Sequence, residues 1–61
     1  MKTLALIQAL TYIELHGLYN SLFDTLTGIR FDEADTNNTE FFFQLTRNGE
    51  TRWEYVNLEN L

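Results

Sequence analysis

The sequence predicts an α+β fold: two short N-terminal helices, or one kinked helix, on a small antiparallel sheet of two to three strands that ends in a C-terminal β-hairpin. Three observations carry this. The stretch from Thr3 to about Thr27 lacks proline and spaces its apolar residues as a helix does. His16-Gly17 interrupts that spacing with a shift of phase. Two runs rich in aromatic and β-branched residues, Glu40 to Arg47 and Glu50 to Val56, flank Asn48-Gly49, the strongest short-range hairpin signal a sequence carries.

At roughly 100° per residue, Leu6, Ile7, Leu10 and Ile13 form one stripe, while Leu15, Leu18, Tyr19, Leu22, Phe23 and Leu26 form another. In one straight helix the two stripes would lie on nearly opposite sides. Gly17 supplies a C-cap at the phase jump, with His16 placed to favour the negative end of the helix dipole. Two helices are therefore expected, about Lys2 to His16 and Leu18 or Asn20 to Thr27, meeting at an angle. After Gly28, Ile29-Arg30-Phe31 alternates as a strand does, and the polar, turn-prone run from Asp32 to Asn38 follows. This stretch reads either as a long loop or as the end of a first strand with its turn into the Phe-rich strand; a three-stranded meander would be the more stable, since a lone two-stranded ribbon is marginal in water.

Parity frames the hairpin register. Phe41, Phe43 and Leu45 share a face, and so do Trp53 and Tyr55. A two-residue loop pairs Phe43 with Glu54 and Leu45 with Arg52, setting charges opposite the apolar row. A three-residue loop of Arg47, Asn48 and Gly49 instead pairs Phe43 with Trp53 and Phe41 with Tyr55. That register makes one face apolar, so burial favours it together with a G1 bulge at Gly49.

Sixty-one residues are expected to form a single small domain, in which a core rarely supplies more than about 3–5 kcal/mol. There is no cysteine to form a disulfide or thiolate metal site, and the absence fits a reducing cytoplasm. The opening Met1-Lys2-Thr3-Leu4-Ala5-Leu6-Ile7 starts as a signal peptide does, but Gln8, Thr11 and Glu14 break the apolar run and no small-residue cleavage site follows. No apolar run is long enough for a membrane-spanning helix. Nine acidic residues against four basic ones leave a formal charge of −5, which disfavours direct nucleic-acid binding and would steer the chain toward a basic partner.

No catalytic, cofactor-binding or metal-ligating set stands out. The acidic run Asp32, Glu33, Asp35 and Glu40 lacks the central glycine and distal glutamate of an EF-hand, so a solvated loop is expected. His16 is the lone histidine, without a nucleophile or acid aimed at it in the sequence, and reads as a helix-end residue. Phe41, Phe43 and Trp53 read as core rather than as a base-stacking platform, since such platforms sit in a positive field. Phe42 points away from that core and, near Val56 and Leu58, forms a candidate interface patch.

The function expected is therefore non-enzymatic: a small acidic interaction protein acting as inhibitor, regulator or assembly subunit through a protein partner with a basic or apolar docking surface. A phage or mobile-element origin suits that size and type. A homodimer is expected, because the apolar stripes exceed what one small sheet covers. Interface candidates are Phe42, Val56 and Leu58, or Leu6, Leu10 and Ile13 of the first helical stripe. The alternative is a nucleic-acid mimic, with Asp32, Glu33, Asp35, Glu40, Glu50 and Glu54 standing for phosphates in the channel of a nuclease, defence complex or repair enzyme.

Overall fold

In the computed structural model, which describes residues 2–31 and 39–60, one N-terminal helix packs on a three-stranded antiparallel sheet that ends in a β-hairpin. The elements are α1 (Lys2–Leu15), β1 (Thr25–Phe31), β2 (Glu40–Arg47) and β3 (Glu50–Asn57), followed by a 3-10 turn over Leu58–Asn60. The strands form a meander in the order β1-β2-β3.

The helix buries Ala9 and Ile13 fully and packs Ala5, Leu6, Leu10 and Tyr12 around them, a stripe with the spacing of one helical face. It stops where expected. Gly17 takes a left-handed conformation (φ 73°), the Leu18 N–H donates to the Ile13 carbonyl at 2.8 Å and the Gly17 N–H to the Glu14 carbonyl at 3.2 Å. These two bonds are the Schellman motif, which satisfies carbonyls the helix end would otherwise leave open.

The second helix expected from Leu18 or Asn20 to Thr27 does not form. Asn20 and Asp24 offer the main chain a closed turn instead: the Asn20 side-chain oxygen accepts the Leu22 N–H at 2.9 Å, and the Asp24 carboxylate accepts the Asn20 N–H at 2.8 Å. The Asp24 N–H in turn donates to the Asn20 carbonyl at 2.7 Å. Side-chain acceptors of this kind compete directly with helical bonding. From Thr25 the chain is already strand β1, longer than Ile29-Arg30-Phe31 alone, and Leu26 pairs with Leu45 of β2. A bulge between Leu26 and Gly28 lets Leu26 and Ile29, three residues apart, both lie opposite core residues of β2, Leu45 and Phe43.

The hairpin corrects the register argued from parity. Arg47 pairs with Glu50, Leu45 with Arg52, Phe43 with Glu54 and Phe41 with Val56. The loop thus holds two residues, Asn48 (φ 54°) and Gly49 (φ 79°), both left-handed as a type I′ turn requires. Gly49 has positive φ, but within this turn rather than in a G1 bulge. Phe41, Phe43 and Leu45 are fully buried, and Phe41 and Phe43 cluster with Ala9 and Ile13 of the helix and with Val56. Phe41 stacks on Phe43 at 6.1 Å between ring centres and meets the edge of Phe31 at 5.3 Å. Trp53 and Tyr55 point to the other side of the sheet and remain 47% and 48% exposed. Neither pairs with the core phenylalanines.

Candidate functional site

The register raises a physical problem and Asp24 solves it. Arg47 and Arg52 belong to the parity of the buried face, where guanidinium groups beside Leu45 need compensation. Asp24 closes the turn after α1 with a side chain wholly removed from solvent. Arg47 grips it with two bonds, Nε to Oδ1 at 2.8 Å and Nη2 to Oδ2 at 3.0 Å. Arg52 grips it with two more, Nη1 to Oδ1 at 3.0 Å and Nη2 to Oδ2 at 3.1 Å. The same Nη2 donates to the Leu18 carbonyl at 2.9 Å, and Arg52 Nε donates to Glu54 at 3.2 Å. Arg47 also lies over the Phe23 ring, 5.6 Å from its centre. Paired, two-pronged bonds of this kind are the strong form of the ion pair. They hold the Asp24 carboxyl well below the usual carboxylate range, Arg52 contributing most, then Arg47 and the Asn20 main chain. Asp24 in turn raises the Arg52 guanidinium further. The cluster ties the turn after the helix to both strands of the hairpin. It is structural and leaves the opposite face of the sheet uncovered by the helix.

On that opposite face the side chains of Phe42, Gln44 and Thr46 lie across from Tyr55, Trp53 and Thr51. Phe42 packs against Tyr55 with ring centres 5.0 Å apart. The Tyr55 hydroxyl donates to Glu40 at 2.6 Å, which fixes its ring. Beside the aromatics runs a row of hydroxyls, Thr27 to Thr46 at 3.2 Å and Thr46 to Thr51 at 3.1 Å. The result is a firm, shallow surface with an aromatic half and a threonine half.

The residues singled out in the sequence fall in different places. Phe42 stands on the open face. Val56 and Ile13 are core, at 2% and 0% exposure, and offer no outward surface in this chain; Leu6, Leu10 and Leu58 pack against the same core. Outward on the helix stand Leu4, Ile7 and Leu15 instead, of which Ile7 alone belonged to the first stripe. Of the acids, Glu40 holds Tyr55, Glu54 is bonded to Arg52, and Glu50 is exposed beside the turn. Asp32, Glu33 and Asp35 lie outside the described residues. His16 follows the last residue of the helix, its ring 4.1 Å from that of Tyr12. Among the described residues no group of three histidine or acidic side chains converges as a metal site would require, and no helix is long and apolar enough to cross a membrane.

Sequence reasoning missed Trp53 and Tyr55 as surface residues, and missed Asp24 altogether. A signal for Asp24 existed. With the two-residue turn the Asn48-Gly49 pair favours, Arg52 must face inward beside Leu45, and an inward arginine requires an acid from another element. No known protein family, curated protein or solved structure matches the chain.

Proposed function

We propose that the chain is a small non-enzymatic interaction protein, an inhibitor, regulator or assembly subunit, that docks a protein partner on the open face of its sheet. The observation that supports this is the placement of Phe42, Trp53 and Tyr55 together on the face away from the helix, with Trp53 and Tyr55 about half exposed. Aromatic side chains bring large contact area with few rotatable bonds, and they dominate the energetics of protein interfaces. Here a hydrogen-bonded sheet and the Tyr55–Glu40 bond hold them ready, which lowers the ordering cost of docking. The net charge of −5 favours a partner with a basic rim around an apolar centre. A chain without cysteine suits work in a reducing cytoplasm. Mimicry of nucleic acid draws less support, because Asp24 and Glu54 spend their charge on Arg47 and Arg52 inside the fold.

A photo-reactive phenylalanine analogue in place of Phe42, irradiated in extracts of the source cells, is expected to give one dominant protein adduct. The purified partner should then bind the unmodified chain and lose affinity by about tenfold or more on Tyr55→Ser or Trp53→Ser. Unchanged affinity in both folded variants would overturn the reading.

A further inference from the structure

The helix is apolar on two opposite sides, and the sheet takes only one of them. Ala5, Leu6, Ala9, Leu10, Tyr12 and Ile13 belong to the side packed on the core. Away from it stand Leu4, Ile7 and Leu15, each more than half exposed, with Thr11 in line between them. At roughly 100° per residue these four fall within about 80° of one another, a seam opposite the buried stripe. Thr11 does not break the seam. Its hydroxyl donates to the Ile7 carbonyl at 2.8 Å, so the donor is already satisfied within the helix and can be covered at little cost. Thr3, Gln8 and Glu14 complete this side of the helix, which therefore carries a single acid of the chain's nine.

That charge pattern decides what covers the seam. A basic partner gains little there, because the other acids lie outside the helix. An anionic lipid surface repels a chain of net charge −5, and the helix lacks the basic row that interfacial helices use. A second copy of the same helix is matched. The first turn of α1 holds no acid and the last turn no base, so its own side chains offset neither end of the dipole. Antiparallel pairing with a copy sets the two dipoles head to tail and brings Glu14 beside the first turn of the partner helix.

We propose that α1 pairs antiparallel with α1 of a second copy about a two-fold axis level with Ala9. Leu4 then lies opposite Leu15 of the partner subunit, and Ile7 opposite Thr11 of the partner subunit, each contact made twice. At a rise of about 1.5 Å per residue, the midpoints of the two pairs agree to within ~1 Å, so one axis serves both. Other registers lose this match. Centring on Ile7 leaves Leu15 beyond the end of the partner helix, and centring on Thr11 does the same to Leu4. Parallel pairing sets Glu14 against its own copy and aligns the dipoles. In the antiparallel dimer each sheet lies outside the helix pair, with its aromatic face turned outward. The pairing does not rest on the protein partner proposed above, since it leaves Phe42, Trp53 and Tyr55 clear.

A contact one helix long is small beside specific interfaces of about 1,200–2,000 Å². The dimer is therefore expected to be reversible, forming between micromolar and millimolar concentration. Sedimentation equilibrium over that range should show the chain approaching twice its 7.2 kDa mass. Ile7→Gln, at an exposed helical position, should keep the circular dichroism spectrum and the melting transition of the dilute chain, yet remain monomeric. Thr11→Leu fills the polar gap in the seam and should tighten association by about tenfold or more. Orientation is read by cross-linking, since the chain has no cysteine of its own. An equimolar mixture of Leu4→Cys and Leu15→Cys chains should oxidise mainly to the mixed disulfide. An unmodified chain that stays monomeric at millimolar concentration would overturn the proposal, whether the seam then takes up phosphatidylcholine vesicles or the protein partner. So would a dimer that Ile7→Gln leaves intact, a Thr11→Leu chain that associates no more tightly, or Leu4→Cys chains that cross-link mainly to themselves.

Discussion

The two faces of the sheet carry similar numbers of aromatic residues and yet do opposite jobs. The helix-side face buries Phe41, Phe43 and Val56 against Ala9 and Ile13, and toward its hairpin end it holds the buried Leu45 and the Asp24–Arg47–Arg52 cluster. The open face carries Phe42, Trp53 and Tyr55 with a threonine row, and no described helix covers it. The difference teaches that size and apolarity do not by themselves choose the core. Turn geometry chose it: once Asn48 and Gly49 both take left-handed conformations, the pairing of every later residue follows. The charges this sends inward are then met by one acid from outside the hairpin.

Substitutions should respect that division, with the largest effect on the helix side. Phe43→Ala removes a fully buried ring from the centre of the core and is expected to cost about 3–5 kcal/mol. For a chain whose whole stability is on the order of 3–9 kcal/mol, chemical denaturation should show a largely unfolded protein. A cooperative transition near the original midpoint would remove Phe43 from the core.

Asp24→Asn comes next. It leaves Arg47 and Arg52 without their shared carboxylate, and thermal melts should shift down by on the order of 10 °C or more. The pH dependence has a definite sign. The folded state holds the Asp24 carboxyl below its unfolded value of about 3.9, so its contribution is complete above that value and is lost as pH falls further. The melting temperature of the native chain should therefore drop below about pH 4, and that drop should be shallower in Asp24→Asn. Equal slopes would mean that Asp24 is not the group holding the turn to the hairpin.

Gly17→Ala probes the join between helix and turn. A methyl group there meets nothing within 4 Å, so its cost is that of the left-handed backbone alone, about 1–2 kcal/mol. A gain in melting temperature would instead indicate a helix running through residue 17. The smallest effect belongs to the open face. Trp53→Thr, measured where the chain is monomeric, should change stability by no more than about 1 kcal/mol despite the loss of the largest side chain. A loss as large as that of Phe43→Ala would place the tryptophan in the core.

Much of the architecture was legible in the residues. The Asn48-Gly49 hairpin, the helix stop at Gly17 and the third strand all have local causes: a turn that needs φ > 0, a C-cap glycine and an alternating Ile29-Arg30-Phe31. What was not legible depends on residues distant in sequence. Leu18 to Thr27 carries helical spacing, but Asn20 and Asp24 close a turn on themselves, and Asp24 is held by arginines from the far end of the chain. The register was misjudged for the same reason. Arg52 beside Leu45 looked costly because the acid that balances it is 28 residues away. Phe42 was rightly seen to point outward, whereas Val56 and Ile13 were drawn into the core by a register and a helix angle that no local pattern specifies.

The measurement that bears most directly on the two-face account is the cross-strand NOE pattern of the hairpin. In the two-residue register Gln44 and Trp53 form a pair without main-chain bonds between them, the geometry in which α-protons lie closest. A strong Gln44–Trp53 α-proton NOE, accompanied by one between Phe42 and Tyr55, is the expected result. A strong NOE linking Phe43 to Trp53 in their place would put Trp53 and Tyr55 on the helix side and contradict the account.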